Sequence, residues 1–356
     1  MRIKSFSFES EDWVLQKIDL QKVNLIVGTN GTGKSKTLNY LDWFRSNVWT
    51  GNLYIDGTWN VSWITDLNET LEYRLKLQAH EEEDLDFIVT EESLHLEGKI
   101  ILKRENIESC FIFSEIKQEY DVFYPPNNKL ALLSRRDIKE YPYIERIIDW
   151  SKSFYHLEFS SINKDNQHVV TESTYEQFPK LYSRLEEQYQ RNILNNYNSV
   201  GFEISTIRYE SRGNNNHYLV LRELGINKDI YQDELSQGMM RTLCLFIYIE
   251  NLISKNKTAT LLIDDLGEGL DYKRATELGK ILFRLCKDNN IQLIATSNDS
   301  FLMNVVDIDY WNVLIREGNV VKAINKQNHP KLFEDFVYEG TSNFNFFSSS
   351  YLPSRL

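Results

Sequence analysis

The 356-residue sequence has few of the residues that build metal sites or disulfide-linked domains. Its three cysteines, Cys110, Cys244 and Cys286, lie far apart with no CxxC spacing, so neither a zinc site nor a disulfide framework is predicted. The six histidines are scattered, and none has the HExxH spacing of a metalloprotease. This cysteine usage favours a reducing compartment such as the cytoplasm.

Long apolar runs and an excess of basic charge are also missing. No stretch approaches the roughly 18 consecutive apolar residues of a membrane helix, and no apolar signal-peptide region follows the N-terminus. The net charge of -12 disfavours a chain that coats nucleic acid broadly, although a local basic patch would still allow DNA contact. We therefore expect a cytoplasmic globular protein without a membrane partner.

Hydrophobic patterning divides the chain into three parts. Residues 1–50 and 199–330 alternate strands with helices, which predicts a parallel α/β core. Residues 51–198 contain an antiparallel β meander and then a helical lobe, and residues 331–356 form a C-terminal tail. No long coiled coil fits between residues 51 and 230. Strands are predicted at 3–8, 13–18, 23–27, 199–209, 217–224, 259–263 and 292–296, and helices at 34–44, 236–254 and 272–286.

A glycine-rich loop, GTNGTGKS at residues 28–35, joins a predicted strand to a predicted helix and satisfies GxxxxGK[ST]. Its glycines let backbone N–H groups turn towards phosphates, and Lys34 brings a positive charge to the β- and γ-phosphates. The Ser35 hydroxyl is the predicted Mg²⁺ ligand. The loop therefore predicts ATP and Mg²⁺ as cofactors. The predicted nucleotide-binding residues here are Gly28, Thr29, Asn30, Gly31, Thr32, Gly33, Lys34, Ser35, Lys36 and Thr37.

Two adjacent carboxylates, Asp264 and Asp265, follow the apolar strand predicted at 259–263. A P-loop ATPase needs one carboxylate at such a strand end to hold Mg²⁺ and often a second to polarise the attacking water. We predict Asp264 as the Mg²⁺ residue and Asp265 as the general base, both catalytic. An acidic pair can also be a plain strand terminus, but the P-loop favours the functional interpretation.

The third motif, Leu235-Ser236-Gln237-Gly238, stands at the start of the helix predicted at 236–254. LSxG alone is often only a helix cap. Its position between the P-loop and Asp264 favours a signature motif, in which Ser236, Gln237 and Gly238 present a helix N-terminus to an anion.

With these three motifs in order, the chain resembles the ABC-type ATPases of the RecF/SMC-like "AAA family ATPase" group. This group also includes the overcoming-lysogenisation-defect and related phage-defence ATPases. The resemblance covers nearly the whole chain and extends to residues 264–271, DDLGEGLD, where the family typically has DEPExGLHP. It implies an α/β P-loop fold with an ABC-type head, in which the meander and helical lobe are inserted between P-loop and signature. It also implies that Ser236 faces the γ-phosphate of a neighbouring subunit, and that Glu268 to Asp271 form a D-loop at the dimer contact, with Glu268 a further catalytic candidate.

The sequence departs from the family at several positions. Asp265 replaces the usual catalytic glutamate and is one methylene shorter, so slow turnover is expected. Ser297-Asn298-Asp299 stands where a switch histidine is expected; Asn298 can bind the nucleotide by a hydrogen bond to the γ-phosphate but cannot take up a proton. Gln118 is a candidate Q-loop glutamine. Arg135 and Arg136 either contact phosphate or nucleic acid or, as we favour, form surface ion pairs with Asp137 or Glu140.

The motifs together favour an ATP-driven dimerisation switch. ATP would be sandwiched between the P-loop of one subunit and the signature of the other, and hydrolysis would separate the homodimer. The resemblance favours anti-phage defence with a separately encoded effector, a toxin or nuclease. The alternatives are a DNA repair or recombination ATPase that grips DNA and, less favoured, a nucleotide-binding subunit of a transporter. The aromatic stretch at 343–347 either packs on the core or docks a partner.

Overall fold

The computed structural model of the protein describes residues 1–79, 87–105, 109–157, 174–213, 216–339 and 342–348. The chain folds into two units. The first, here called the P-loop unit, comprises Met1–His156, Thr258–Leu262 and Asp309–Gly340. The second, here called the carboxylate unit, comprises Leu157–Lys257, Ile263–Ile308 and Thr341–Leu356.

Strands and helices alternate along much of the described chain. The strands are β1 (Arg2–Glu9), β2 (Val14–Asp19), β3 (Val23–Val27), β4 (Gly57–Ile64), β5 (Thr70–Ala79), β6 (Phe87–Leu96), β7 (Lys99–Arg104), β8 (Cys110–Ser114), β9 (Glu119–Phe123), β10 (Phe154–Leu157), β11 (Ile204–Arg212), β12 (Asn216–Glu223), β13 (Asp229–Tyr231), β14 (Ala259–Ile263), β15 (Ile291–Thr296), β16 (Trp311–Glu317) and β17 (Val320–Ile324). The helices are α1 (Lys34–Thr50), α2 (Ala131–Ser134), α3 (Pro142–Lys152), α4 (Thr174–Arg184), α5 (Glu187–Ser199), α6 (Gln237–Lys255), α7 (Tyr272–Asp288), α8 (Ser300–Val305), α9 (Pro330–Glu339) and α10 (Asn343–Ser348).

Eleven strands of the P-loop unit lie side by side in the order β3-β16-β17-β2-β1-β4-β5-β6-β7-β8-β9. β3 pairs in parallel with β16, and β17 in parallel with β2, whereas the run from β4 to β9 is antiparallel throughout. β3 is buried at all of its positions, as its unbroken run of mainly apolar residues predicts. β5 instead alternates buried and exposed positions, which leaves one face of the meander polar. The predicted α/β fold with an inserted β meander is therefore confirmed.

The predicted helix at 34–44 is confirmed and continues to Thr50. Its buried residues include Leu38, Leu41, Phe44 and Val48, which recur at helical spacing and form one apolar face. Phe44 lies against Trp150 of α3, with ring centroids 6.2 Å apart. Burial of this face, more than helix propensity, accounts for the extra turns.

The carboxylate unit contains a three-stranded antiparallel sheet, β11-β12-β13, and the helix α6, which contacts α4 and α5. The strand predicted at 199–209 was placed too early. It begins at Ile204, because α5 continues to Ser199 and the Asn198 amide closes the following turn. Asn198 accepts from Ile204 N at 2.9 Å and donates to Ile204 O at 2.8 Å.

One further expectation on the chain's architecture has an outcome. The aromatic stretch that begins at residue 343 packs on its own unit, since Phe346 is fully buried and Asn343 Nδ2 donates to Val306 O at 2.9 Å. Among the described helices, none is both long enough and apolar enough to cross a membrane. The hairpin β16–β17 and the short strand β10 were not predicted.

Candidate nucleotide-binding site

The glycine-rich loop has a backbone that only glycine adopts readily at two of its positions. Gly31 has φ 83° and Gly33 has φ 95°, both in the left-handed region. The loop follows β3, and α1 begins at Lys34, so that the last two residues of the motif form the start of the helix. The predicted order of strand, loop and helix is therefore confirmed, and the loop can turn its amide groups without a Cβ obstructing them.

The N-terminus of α1 fits a bound phosphate. Its N-cap residue is Gly33, which supplies no capping side chain, and its first turn contains no acidic residue. The first backbone N–H groups of a helix have no partner within the helix, and the helix dipole places partial positive charge there. An anion such as a phosphate satisfies both.

The side chains of the loop and of the helix start differ in their exposure to solvent. Lys34 is 7% exposed, and its Nζ donates to Gly28 O at 2.8 Å and to Thr29 O at 3.3 Å, so the cation lies at the loop. Thr29, Asn30, Gly31 and Ser35 are exposed and form the solvent side of the loop. Thr32 and Thr37 are buried. Their hydroxyls donate within the loop and the helix start, to Thr29 O and Gly33 O at 2.8 and 2.9 Å.

Trp13, which no sequence pattern indicated as part of the site, packs against the glycine-rich loop. Trp13 is 3% exposed and packs on Gly33, where an added Cβ would lie 2.3 Å from its ring. Lys36 Nζ lies 4.1 Å and Arg316 Cζ 4.7 Å from the centre of a Trp13 ring. Arg316 also donates to Gly31 O at 3.0 Å. These long-range contacts cannot be read from a local motif.

In the carboxylate unit, Asp264 and Asp265 are held at the carboxyl end of β15 by Thr296. Thr296 Oγ1 donates to Asp264 Oδ1 at 2.6 Å and accepts from Asp265 N at 2.8 Å. Leu266 N donates to Thr296 O at 2.8 Å. Asp265 has φ 48°, a left-handed value that few residues other than glycine adopt. The sequence indicated the acidic pair but not this threonine.

The signature segment and the predicted D-loop lie against each other within the same unit. Ser236 is the N-cap of α6 and accepts from Met239 N at 3.3 Å. A Cβ on Gly238 would lie 2.4 Å from Gly269 O, so only glycine fits at this contact. Arg241 NH1 donates to Glu268 Oε2 at 2.6 Å, which gives the Glu268 carboxylate an ion-pair partner.

The two remaining candidate residues, Asn298 and Gln118, are both exposed. Asn298 is exposed beyond the end of β15, and the neighbouring Asp299 caps α8 through Phe301 N and Leu302 N at 2.9 and 2.8 Å. Gln118 is exposed in the P-loop unit, where Nε2 donates to Glu115 O at 2.8 Å.

The ion pairs expected for the two arginines had the wrong partners. Arg136 pairs with Glu145 at 2.6 Å, and Arg135 lies over the Phe123 ring with Cζ 5.4 Å from its centre. Asp137 instead accepts backbone N–H groups of Lys139 and Glu140 at 2.8 and 2.9 Å, which caps the turn that follows it.

The fold and the loop define the class. A buried strand, a GxxxxGK[ST] loop with left-handed glycines and an uncapped helix form a P-loop nucleotide-binding fold. The chain belongs to the AAA-type ATPase family described as "AAA domain, putative AbiEii toxin, Type IV TA system", whose sequence pattern matches residues 120–304, just over half of the chain. The matched range contains Ser236, Asp264 and Asp265, whereas the P-loop precedes it.

A solved SMC head shares the fold, and two others are also similar to the chain. "Crystal structure of the SmcHead bound to the C-winged helix domain of ScpA" superposes with a TM-score of 0.57 at 12% identity, covering 93% of this chain and 100% of that one. The SMC head domain from Thermotoga maritima gives 0.48 at 13% identity, with 91% and 99% covered. The SMC head from Pyrococcus furiosus bound to the C-terminal domain of ScpA gives 0.47 at 11%, with 94% and 99% covered. No curated protein sequence matches the chain.

Proposed function

We propose that the protein is a Mg²⁺-dependent ATPase that closes into an ATP-sandwiched homodimer and so switches a separately encoded effector. The observation that carries this proposal is the uncapped N-terminus of α1 behind left-handed glycines, a backbone arranged for phosphate. The AAA-type family and the SMC-head fold support it.

Each candidate residue has a role in this proposal. Lys34 binds the β- and γ-phosphates. Ser35 is the proposed Mg²⁺ ligand of the P-loop unit and Asp264 that of the carboxylate unit; the charge of Mg²⁺ offsets that of the phosphates when it is bound. Asp265 takes up the proton of the attacking water. Because Asp265 is shorter than the glutamate of related ATPases, we propose slow hydrolysis.

The dimer is supported by the signature segment. Ser236 and Gly238 stand at the N-terminus of a 19-residue helix, α6, whose dipole favours an anion there. The Ser236 cap at 3.3 Å is longer than the 2.8 Å bond that caps α8, so a phosphate of the neighbouring subunit could replace it at small cost.

The proposal is tested by two variants that differ in which step they block. Lys34→Ala should lose ATP binding, since it removes the cation at the loop. Asp265→Asn should bind ATP but not hydrolyse it, and so accumulate as a dimer. Asparagine is the better substitution than alanine, because it tolerates φ 48° while removing the negative charge.

Sedimentation velocity with saturating ATP and Mg²⁺ measures the dimer, and filter binding of radiolabelled ATP measures occupancy. Lys34→Ala should stay monomeric under all conditions. An Asp265→Asn protein that is saturated with ATP and still monomeric would contradict the sandwich.

We further propose that the switch acts in anti-phage defence, in the cytoplasm. The family description, which refers to a toxin of a toxin–antitoxin system, supports an effector-linked role. Expression with the neighbouring genes should protect a bacterial host from plaque formation, and Lys34→Ala should abolish protection at equal protein level. Equal protection by both proteins would contradict an ATP-dependent defence role.

One observation favours the alternative of a DNA-binding ATPase. Arg208, Arg212 and Arg222 lie with Tyr231 on the β11-β12-β13 sheet, and Arg212 Cζ is 4.4 Å from the Tyr231 ring centre. Their ion pairs with Glu210 and Asp229 offset most of this charge, which is why we rank DNA binding second. ATP-dependent binding of duplex DNA whose affinity falls steeply with salt would reverse that order.

A further inference from the structure

Thr296 is hydrogen-bonded to both residues of the acidic pair. It is the last residue of β15, 0% exposed, and lies more than 30 residues from the acidic pair in sequence. Its hydroxyl contacts the side chain of Asp264 at 2.6 Å and the main chain of Asp265 at 2.8 Å. One side chain therefore contacts both residues that the proposed function places at the metal and the attacking water.

The Thr296 hydroxyl donates its hydrogen bond to Asp264. A threonine hydroxyl has one proton and two acceptor lone pairs. Because Oγ1 already accepts the N–H of Asp265, its proton goes to Asp264 Oδ1, which accepts it. The bond uses one acceptor site of the Asp264 carboxyl group and fixes the orientation of that group, whose other acceptor sites can face a metal-bound water.

The same residue fixes the unusual backbone of Asp265. Two main-chain N–H groups hold the turn at 264–266 to Thr296: Asp265 N donates to the side-chain Oγ1 and Leu266 N to the main-chain O, each at 2.8 Å. These bonds hold Asp265 at φ 48°, where it would otherwise be unfavourable. The direction of the Asp265 side chain follows from that φ.

We propose that Thr296 is a positioning residue of the ATPase site, which orients Asp264 for Mg²⁺ and Asp265 for the attacking water. This inference rests on the proposed ATPase function. Groups that hydrogen-bond a metal-binding side chain fix its orientation, and their loss weakens metal affinity or activity by about 10–100-fold.

Variants at Thr296 and at a control position, Thr260, separate a positioning role of Thr296 from a merely structural one. Thr296→Val is isosteric and lacks the hydroxyl, whereas Thr296→Ser keeps it. Thr260→Val is the matched control, because Thr260 is also 0% exposed in a strand and its Oγ1 accepts from Trp150 Nε1 at 3.2 Å. Thr296→Ala serves the same purpose as Thr296→Val if the valine protein does not fold.

ATP hydrolysis is measured against MgCl₂ concentration at saturating ATP, and against ATP at saturating MgCl₂. Thr296→Val should raise the Mg²⁺ concentration for half-maximal rate by about 10-fold and lower kcat, with little change in KM for ATP, because the P-loop residues are intact. Thr296→Ser should remain close to the wild type. Thr260→Val should lower thermal stability and leave the Mg²⁺ dependence unchanged.

Two results would overturn the role of Thr296 alone: wild-type Mg²⁺ dependence and kcat in Thr296→Val, or the same Mg²⁺ shift in Thr260→Val. A wild-type protein that neither binds nor hydrolyses ATP at any MgCl₂ concentration would instead overturn the proposed function, and the role of Thr296 with it.

Discussion

The P-loop and the turn at 264–266 both contain residues with left-handed φ values, but different residue types adopt them. The P-loop reaches left-handed φ values with Gly31 and Gly33, and the helix that follows has no side-chain cap. The turn reaches φ 48° with Asp265, a residue that is not glycine. In the same unit, α7 and α8 begin with side-chain caps from Asp271 and Asp299.

The difference reflects what each segment offers to a ligand. Under the proposed function, the ligand-facing groups of the P-loop are backbone amides, so side chains are removed and the helix N-terminus has no side-chain cap. The proposed functional groups of the turn are carboxylates, so the side chains stay, and hydrogen bonds with Thr296 hold the main chain of Asp265 and the side chain of Asp264. At α7 and α8, by contrast, the side chains of Asp271 and Asp299 accept N–H groups of the first helical turn.

The largest expected effect tests how tightly the P-loop is packed. Gly33→Ala and Gly31→Ala both place a Cβ at a left-handed φ, which costs roughly 1–2 kcal/mol. At Gly33 the new Cβ would also lie 2.3 Å from the Trp13 ring, whereas at Gly31 no described atom lies within 4 Å. Overpacking of this kind costs a further 1–3 kcal/mol, approximately, so Gly33→Ala should lower the free energy of unfolding by more than Gly31→Ala.

Urea unfolding of both variants followed by circular dichroism measures that difference, with Gly31→Ala as the control for the backbone cost. ATP affinity should fall further in Gly33→Ala, because the loop must shift away from Trp13. Equal unfolding free energies for the two proteins would show that Trp13 moves aside freely and does not hold the loop.

A smaller effect tests whether Asp265 is held in an unfavourable conformation. Asp265→Gly should be more stable than Asp265→Ala by about 1 kcal/mol, since both lose the carboxylate and only alanine keeps the left-handed cost. At Lys280, an exposed position inside α7, the order should reverse by about 1 kcal/mol, because glycine disfavours a helix. Chemical denaturation of the four proteins tests both signs. An alanine variant at 265 as stable as the glycine variant would mean that the backbone there relaxes without cost.

Elements with a local signal were predictable from the sequence. The strand, loop and helix around residues 28–35 were found because glycines, Lys34 and apolar spacing all lie within one short segment. β14 and β15 were found as short apolar runs, and the β meander was found by alternation. Boundaries were less reliable: α1 extends beyond the predicted end at 44 because burial of Val48 against the core, not propensity, sets its length.

The contacts that complete the site were not predictable, because their partners are distant in sequence. Trp13 and Arg316 lie about 300 residues apart and still contact the same loop. Thr296 carries a weak signal, a hydroxyl at the carboxyl end of an apolar strand, but only the fold shows that it contacts Asp264. The ion pairs predicted for Arg135 and Arg136 were wrong, because Arg136 pairs with Glu145 in the helix that follows and Arg135 lies over the ring of Phe123.

The last prediction tests how much the side-chain cap of α7, which α1 lacks, contributes to stability. Asp271 accepts from Arg274 N at 3.1 Å, and this bond, with the nearby guanidinium, holds the pKa of Asp271 below its usual value. Asp271→Ala should lower the free energy of unfolding by about 1 kcal/mol at pH 7, whereas Asp271→Asn retains the acceptor and should lose only part of that stabilisation.

Because the folded-state pKa of Asp271 is lowered, the stabilisation by its carboxylate is present above the unfolded-state pKa of about 4 and is lost as pH falls through the folded-state pKa. The stability gap between wild type and Asp271→Ala should therefore narrow below about pH 4, as measured by urea unfolding between pH 7 and 3. A gap that is constant over this range would show that the carbonyl oxygen of a protonated carboxyl caps α7 as well as the carboxylate does, and that charge adds nothing to the cap.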